Sequence, residues 1–322
     1  MCPEESQTAS IDGSSLKISV VICCHSMERI EDIRQAVQSA VDQTYSPCEV
    51  IVAVDHNQEL WDKLKAELPD SVKVVPNTGV KGLSDTRNTG IQSAAGEIIV
   101  FFDDDATASR DCVEKLAQHY LEPSVVAVGG KSVPIWTDGR PGWFPEELDW
   151  IVGSTYKGAP EIVGQVRNPI GCNMSFRKEA FQTAGLFDTE LGRTGGSGAG
   201  EETEICMRIR QRMPGTLILY EPGAIVHHKV PPQRATLRYL ISRSFTGGLA
   251  VARIGKMYAA SAEAPLSTST ERTYLRYLLT TAPLERIRHL YKPRAIAQIG
   301  VLAISIVATG MGYISGRIIG TS

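Results

Sequence analysis

A chain of 322 residues, 43% hydrophobic and 21% charged, can bury one large core or two smaller ones, which excludes a disulfide-stapled miniature fold and a mostly disordered or multi-span membrane chain. Its net charge of -3 leaves no general footprint for nucleic acid, so no nucleic-acid partner is expected. The seven cysteines (Cys2, Cys23, Cys24, Cys48, Cys112, Cys172 and Cys206) include no CxxC pair, so neither a disulfide framework nor a zinc site is written here, and a reducing, cytosol-facing compartment fits them.

Residues 1–16 are polar, contain no apolar signal-peptide segment and read as a disordered tail. The Val- and Ile-rich run at 16–23 predicts a strand buried on both faces, and Ile30, Ile33, Val37 and Val41 then recur at helical spacing. A β run at 50–54 ends in Asp55. A helix follows around Leu60, Leu64 and Leu68, then a short strand at 72–75 and a helix from about 84 to 95 closed by Gly96. The run at 98–102 ends in Asp103, Asp104 and Asp105, and a helix through Val113, Leu116 and Tyr120 leads to a strand at 125–128. Strands joined by crossover helices must run parallel in a sheet covered by those helices, and such sheets gather ligands at the carboxyl ends of their strands. Beyond about residue 130 the regularity weakens: Trp136, Trp143 and Trp150 stand among Pro and Gly, a Gly-rich stretch covers 192–200, and a helix is expected at about 202–213.

Three adjacent carboxylates at a strand end repel one another and need a cation or several donors to hold them there. A divalent metal bridging a diphosphate would do so; a solvated acidic turn is the alternative. Arg87 lies one turn into a helix entered through the Gly-punctuated segment 77–90, a setting suited to phosphate oxygens, although an arginine on an exposed helix face is commonplace. Neither a GxGxxG fingerprint nor a P-loop is present. Glu201, Glu202 and Glu204 open a helix after the glycines, as partners of the helix dipole or as a source of a general base. His227 and His228 follow a short β run and point to opposite faces, so only one of them can face a metal in the cleft.

In their order and spacing these landmarks resemble the family-2 glycosyltransferases of the GT-A fold, from about residue 17 to about 247. They are Ser19-Val20-Val21-Ile22, Gln43-Thr44-Tyr45, Val54-Asp55, Arg87-Asn88-Thr89-Gly90, Phe102-Asp103-Asp104-Asp105, Gly171-Cys172-Asn173-Met174-Ser175-Phe176-Arg177, Gly200-Glu201-Glu202-Thr203-Glu204 and Val226-His227-His228. The resemblance implies an α/β fold with a Rossmann-like mixed sheet flanked by helices. It implies a UDP-sugar donor held by Asp55, Arg87, Asp103, Asp104 and Asn173, and Mg²⁺ or Mn²⁺ held by Asp105, Asp103 and His228. Glu202 or Glu201 would be the catalytic base; the family usually shows Glu-Asp there. A free lipid phosphate is already ionised and needs no base, whereas a sugar hydroxyl does, so a hydroxyl acceptor is favoured; the chemistry the resemblance implies is a single inverting displacement at the anomeric carbon. A polyprenyl-phosphate glycosyltransferase, an inactive nucleotide-sugar-binding scaffold and a strand-end aspartate phosphohydrolase are the alternatives.

A narrower resemblance, in residues 142–153, 228–234 and 243–247, is to archaeal enzymes that extend dolichyl-phosphate-linked sugars in N-glycan assembly, among them the glucosyl-dolichyl phosphate glucuronosyltransferases. It implies a lipid-linked glycan acceptor and suggests glucuronate as the donor sugar. Trp143 and Trp150 are expected to bind the acceptor, with a packed surface flap as the alternative.

Residues 295–316 carry no charge and, as a helix, are long enough to cross a hydrocarbon core of roughly 30 Å, although Gln298, Ser305, Thr309 and Ser315 also suit a buried core helix. Arg286, Arg288, Lys292 and Arg294 precede this stretch and only Arg317 follows it. The expectation is therefore a C-terminal single-pass anchor in the cell membrane with the catalytic domain in the cytoplasm. Residues 237–258 and 274–290 mix apolar and basic positions, as membrane-surface helices do. The expected organisation is a tail at 1–16, a catalytic domain at 17–235, a membrane-proximal helical extension at 236–294 and a transmembrane helix at 295–316.

Overall fold

The computed structural model describes residues 16–191, 200–287 and 292–319. The expected polar tail and nearly all of the Gly-rich stretch lie outside the described residues.

Strand β1 (Ile18–Cys24) is buried along almost its whole length, as its β-branched composition predicts. Helix α1 (Ile30–Val41) turns Ile33, Ala36, Val37 and Ala40 inward at helical spacing. Strand β2 (Glu49–Asp55) leads to α2 (Gln58–Glu67), whose first turn is capped by Asn57, the Oδ1 accepting from the Leu60 amide at 3.0 Å. Then come β3 (Val72–Asn77), α3 (Leu83–Ser93) and β4 (Ile98–Asp103). These strands lie in the order β3-β2-β1-β4, all parallel, with Cys23 level with both Ala53 and Asp103. The ends of β1, β2 and β4 therefore share one edge of the sheet.

The second half departs from the parallel alternation. Its elements are β5 (Ala106–Ala108), α4 (Cys112–Ala117), β6 (Val125–Trp136), β7 (Gly164–Gln165), β8 (Asn173–Arg177), α5 (Lys178–Ala184), α6 (Glu201–Arg212) and β9 (Leu217–Val230). Strand β8 inserts antiparallel between β4 and β6, so the strand after α4 does not neighbour β4. The sheet is mixed. Strand β6 runs on to Trp136, well past residue 128, because it pairs in parallel with the long β9 on both sides of a register jump at Gly130/Lys131. A Cβ at Gly129 would lie 2.4 Å from Pro169 Cβ, and one at Gly130 2.2 Å from Asn173 Nδ2, so this crossing needs glycine.

Alternation along the strands feeds two cores. Val20, Ile22, Val52, Val100 and Phe102 face α1, α2 and α4; Val21, Ile51, Ile99 and Phe101 face α3, α5 and α6. On the second face Phe101 meets Phe176, Phe181 and Phe187 edge-on. A third core joins the 3-10 segment Glu146–Val152 to α7 (Leu237–Met257), α8 (Ser269–Ile287) and α9 (Pro293–Ile319), through Phe144, Leu148, Val230, Leu240, Leu278 and Leu302. By length and composition α9 could cross a membrane, the one such helix among the described residues. It nevertheless packs lengthwise against α7: the Ser244 and Ser305 hydroxyls meet at 2.9 Å, and a Cβ at Gly248 would lie 2.0 Å from the Thr309 carbonyl oxygen.

Candidate active site

Strand β4 ends with Asp103 at the rim of the sheet, half-buried, while the turn that follows draws Asp104 and Asp105 inward to 4% and 7% exposure. Pairing of β5 with β9 sets Ala106 opposite His228 and so delivers that histidine to the aspartates. His228 Nε2 lies 3.1 Å from Asp105 Oδ1 and 3.9 Å from Asp103 Oδ2. His227, one residue earlier, is exposed on the opposite side of the strand. Gly153, in the left-handed region at φ 85°, backs the imidazole, where a Cβ would come within 3.0 Å of His228 Cε1.

Two arginines complete the cluster. Arg29 Nη1 lies 2.5 Å from Asp104 Oδ1 and 3.2 Å from Asp105 Oδ2, and Arg234 Nη2 lies 3.6 Å from Asp105 Oδ2. Burial favours the neutral form of Asp105, but the His228 hydrogen bond and charge, with Arg29 and Arg234, outweigh it and hold this carboxyl well below the usual range. Burial pushes Asp104 up to about 7, with Asp105 and Asp103 adding to the rise and Arg29 opposing it. Ligand atoms of Asp103, Asp105 and His228 lie within 4.8 Å of one another. Two carboxylates and one imidazole so grouped are a donor set that fits Mg²⁺ or Mn²⁺, and the unpartnered, buried His228 Nδ1 leaves Nε2 as the nitrogen turned toward the aspartates.

Asp55, at the end of β2, fastens the entry to α3. Its Oδ1 accepts from Asn77 Nδ2 at 3.1 Å and lies 2.8 Å from His56 Nδ1; its Oδ2 accepts from the Gly82 amide at 3.0 Å. Gly82 holds φ 135°, so the loop turns into α3 through a backbone shape that favours glycine.

Arg87, in α3, faces the acidic pair at the start of α6. It is 2% exposed, and its Nη1 lies 3.3 Å from Glu201 Oε1 and 3.6 Å from Glu202 Oε1, while its guanidinium sits 5.5 Å from the Phe187 ring centroid. Burial works against the charge, but Glu202 and Glu201 restore it and leave the Arg87 pKa raised. Its partners are the acidic pair. That pair divides: Glu201 is buried, whereas the Glu202 side chain retains 20% exposure and lies over Gly171, where a Cβ would be 2.1 Å from Glu202 Oε1. Glu204 turns away to Arg208 and to the Tyr258 hydroxyl, which donates to it at 3.2 Å.

Asn173 lies inside the sheet, at the start of β8. It is fully buried; its amide donates to the Lys131 and Ala224 carbonyls at 3.1 and 2.9 Å, and its Oδ1 faces Cys112 Sγ at 3.8 Å. Through these bonds its side chain joins β8 to β6 and β9. Trp143 and Trp150 are half-buried against the third core; Trp150 Nε1 donates to the Tyr274 hydroxyl at 3.2 Å and its ring packs on Gly247 of α7. They tie the segment 142–153 to the helical extension. The six described cysteines are free thiols, and burial pushes Cys23, level with Asp103, up to about 12. Arg29 and Arg234 were not singled out from the sequence for a role; the only signal was a basic residue shortly after β1 and another shortly after β9.

Residues 19–185 match glycosyl transferase family 2, and the chain belongs to that family and is a glycosyltransferase. Over 308 residues, 94% of this chain and 96% of the relative, it is 34% identical to the glucosyl-dolichyl phosphate glucuronosyltransferase of Haloferax volcanii. Over 246 residues, 73% of this chain and 74% of that protein, it is 26% identical to the succinoglycan biosynthesis protein ExoM of Rhizobium meliloti. Among solved structures, the mannosyltransferase PcManGT from Pyrobaculum calidifontis, in complex with GDP-Man and Mn²⁺, superposes with a TM-score of 0.60 over 94% of this chain and 88% of that one at 17% identity, which supports the GT-A-like mixed sheet.

Proposed function

We propose that this glycosyltransferase moves glucuronate from its UDP-sugar to a hydroxyl of a lipid-linked glycan on dolichyl or another polyprenyl phosphate, by one inverting displacement. The full-length similarity to an enzyme named for glucosyl-dolichyl phosphate and glucuronosyl transfer supports the donor and the acceptor class. The observation that carries the mechanism is the position of Glu202: the more exposed carboxylate of the acidic pair, seated over Gly171 and held by Arg87. As base it takes the acceptor proton while the acceptor oxygen bonds to the anomeric carbon and the bond to the diphosphate oxygen breaks. Buried Glu201 fixes Arg87, and Arg87 in turn orients Glu202. Asp55 at the end of β2, and Asp103 and Asp104 at the end of β4, lie on the same edge of the sheet and would hold the uracil and ribose.

A divalent cation held by Asp103, Asp105 and His228 would supply charge neutralisation for the departing diphosphate. Arg29 and Arg234, on the same carboxylates, stand ready to meet that charge as well. The catalytic unit, residues 17–235 in this reading, works at the cytoplasmic face of the cell membrane, with the helices beyond it as the membrane-bound part.

The test is a panel of UDP-sugars offered to the full-length protein with extracted lipid acceptor, the product being read by mass. UDP-glucuronate should give the transferred mass. Glu202→Gln should lower turnover by roughly 10²-fold or more with UDP-sugar binding retained. Turnover that survives Glu202→Gln would point to a phosphate acceptor and overturn the base assignment.

A further inference from the structure

Helix α9 has two unlike faces. Ala295, Gln298, Leu302, Ser305, Ala308 and Gly312 are turned into the protein, where Gln298 Nε2 donates to the Gly142 carbonyl at 3.0 Å and its Oε1 accepts from Arg286 Nε at 3.2 Å. The opposite face is apolar and open: Ile296 is 59% exposed, Val307 60%, Met311 59% and Ile314 58%, with Ile304 between them. These positions recur at helical spacing, so they form one stripe along most of a helix of 27 residues, about 40 Å long. A shallow groove lined by Ile241 of α7 with Ala303, Ile304, Val307, Ala308 and Met311 widens that stripe toward α7.

The packing of α7 decides how such a stripe can meet lipid. Helices α7 and α9 run side by side in the same direction, with Gly248 against the Thr309 carbonyl, Gly312 against that of Phe245 and Gly316 against Leu249 and Ala252. Helix α7 is fastened to the catalytic unit near both ends, by Leu240 packed with Val230 and Phe144, and by Ile254 and Tyr258 packed with Met207 of α6. So α9 lies along the body of the protein. Standing it across a bilayer would carry α7, with exposed Arg238 and Arg253 and with Lys256, into the hydrocarbon, where charge is strongly disfavoured.

Charge says which surface covers the stripe. Residues 236–319 hold eleven basic and three acidic side chains in a chain whose net charge is -3. Lys292 and Arg294 stand exposed before the stripe and Arg317 after it, with Arg238, Arg272 and Arg276 exposed on α7 and α8. A neutral apolar strip in a basic frame fits an anionic lipid surface.

We infer that α9 lies in the plane of one leaflet of an anionic membrane, its open stripe sunk among the acyl chains and its inner face on α7, and does not span the bilayer. This rests on the membrane association proposed above and replaces the single-pass anchor expected from the sequence. It also sets the segment 142–153, which α9 holds through Gln298 and α7 through Gly247, close to the lipid surface from which a lipid-linked acceptor would come.

Nitroxide labels decide the matter in the full chain with Cys2→Ser and Cys48→Ser as background. Ile296→Cys, Val307→Cys and Ile314→Cys are labelled singly, bound to phosphatidylglycerol-containing phosphatidylcholine vesicles, and their depths measured by oxygen and nickel-chelate collision. All three should sit at one shallow depth, roughly 5–10 Å below the headgroups. A label at 307 near the midplane, with 296 and 314 toward opposite surfaces, would establish spanning and overturn the in-plane arrangement while leaving membrane association intact. Labels that all remain in water would overturn both. As a second measurement, Val307→Glu with Met311→Glu should weaken binding to the same vesicles at least tenfold with transfer in detergent retained; undiminished binding would count against the stripe as the contact.

Discussion

Asp105 shows how one side chain can be held from two distant parts of the chain: His228 from β9 on one oxygen, and on the other Arg29, just after β1, with Arg234, just after β9. Such convergence offsets the repulsion that three adjacent carboxylates would otherwise exert, and it leaves Asp105 ionised as a ligand must be. The two members of the acidic pair on α6 differ in burial. Glu201 and Arg87 are both nearly inaccessible, so losing Glu201 leaves the buried Arg87 charge to the more distant and more exposed Glu202 alone. Glu201→Gln is therefore expected to destabilise the protein by about 1–3 kcal/mol in urea titrations, whereas Glu202→Gln should change stability less and turnover greatly. Equal stability losses for the two variants would contradict that difference.

At the scale of elements, α3 brings Arg87 to the acidic pair because it can approach β1 closely. Gly90 permits the contact: a Cβ there would lie 2.3 Å from Val21 Cγ1, on a β-branched side chain in the middle of the sheet. Gly90→Ala should cost about 1–3 kcal/mol through overpacking and, by displacing α3, lower turnover beyond what the stability loss explains; thermal melts and steady-state rates on the same preparation check both. A related close approach joins α7 to α9, where Gly248 and Gly312 face backbone carbonyls. In both pairs glycine serves as the surface on which another element lies.

For the molecule as a whole, the site draws on β1, β2, β4, α3, α6 and β9, so a cation at the aspartates would tie the two halves of the sheet together. Chelation with EDTA should abolish transfer and lower the melting temperature, with added Mn²⁺ or Mg²⁺ restoring both; Asp105→Ala should show no such restoration of transfer. Activity that persists after exhaustive chelation would remove the cation from the mechanism. The third core extends the catalytic unit into the helices α7, α8 and α9 without a break, through Phe144, Leu240, Leu278 and Leu302. The extension is therefore packed as part of the same body.

Much of the first half was legible in the sequence alone, because burial on both faces, helical periodicity and capping are local properties that a short window displays: β1 to β4 and α1 to α3 lie where the apolar runs predicted, and the aspartates close their strand. The pairing of β8 between β4 and β6 was hidden by its short length and by the helix that follows it at once, since strand order is set by partners far along the chain. The same holds at the site. Motif order named Asp103, Asp105 and His228, which the fold brings together, and Asn173, whose amide bonds within the sheet were not legible in it. It gave no sign that Arg87 would meet Glu201 across 114 positions. Composition marked α9 as apolar; only packing shows that one of its faces is already taken by the protein, because a helix reveals its neighbours through the surface it loses and not through the residues it contains.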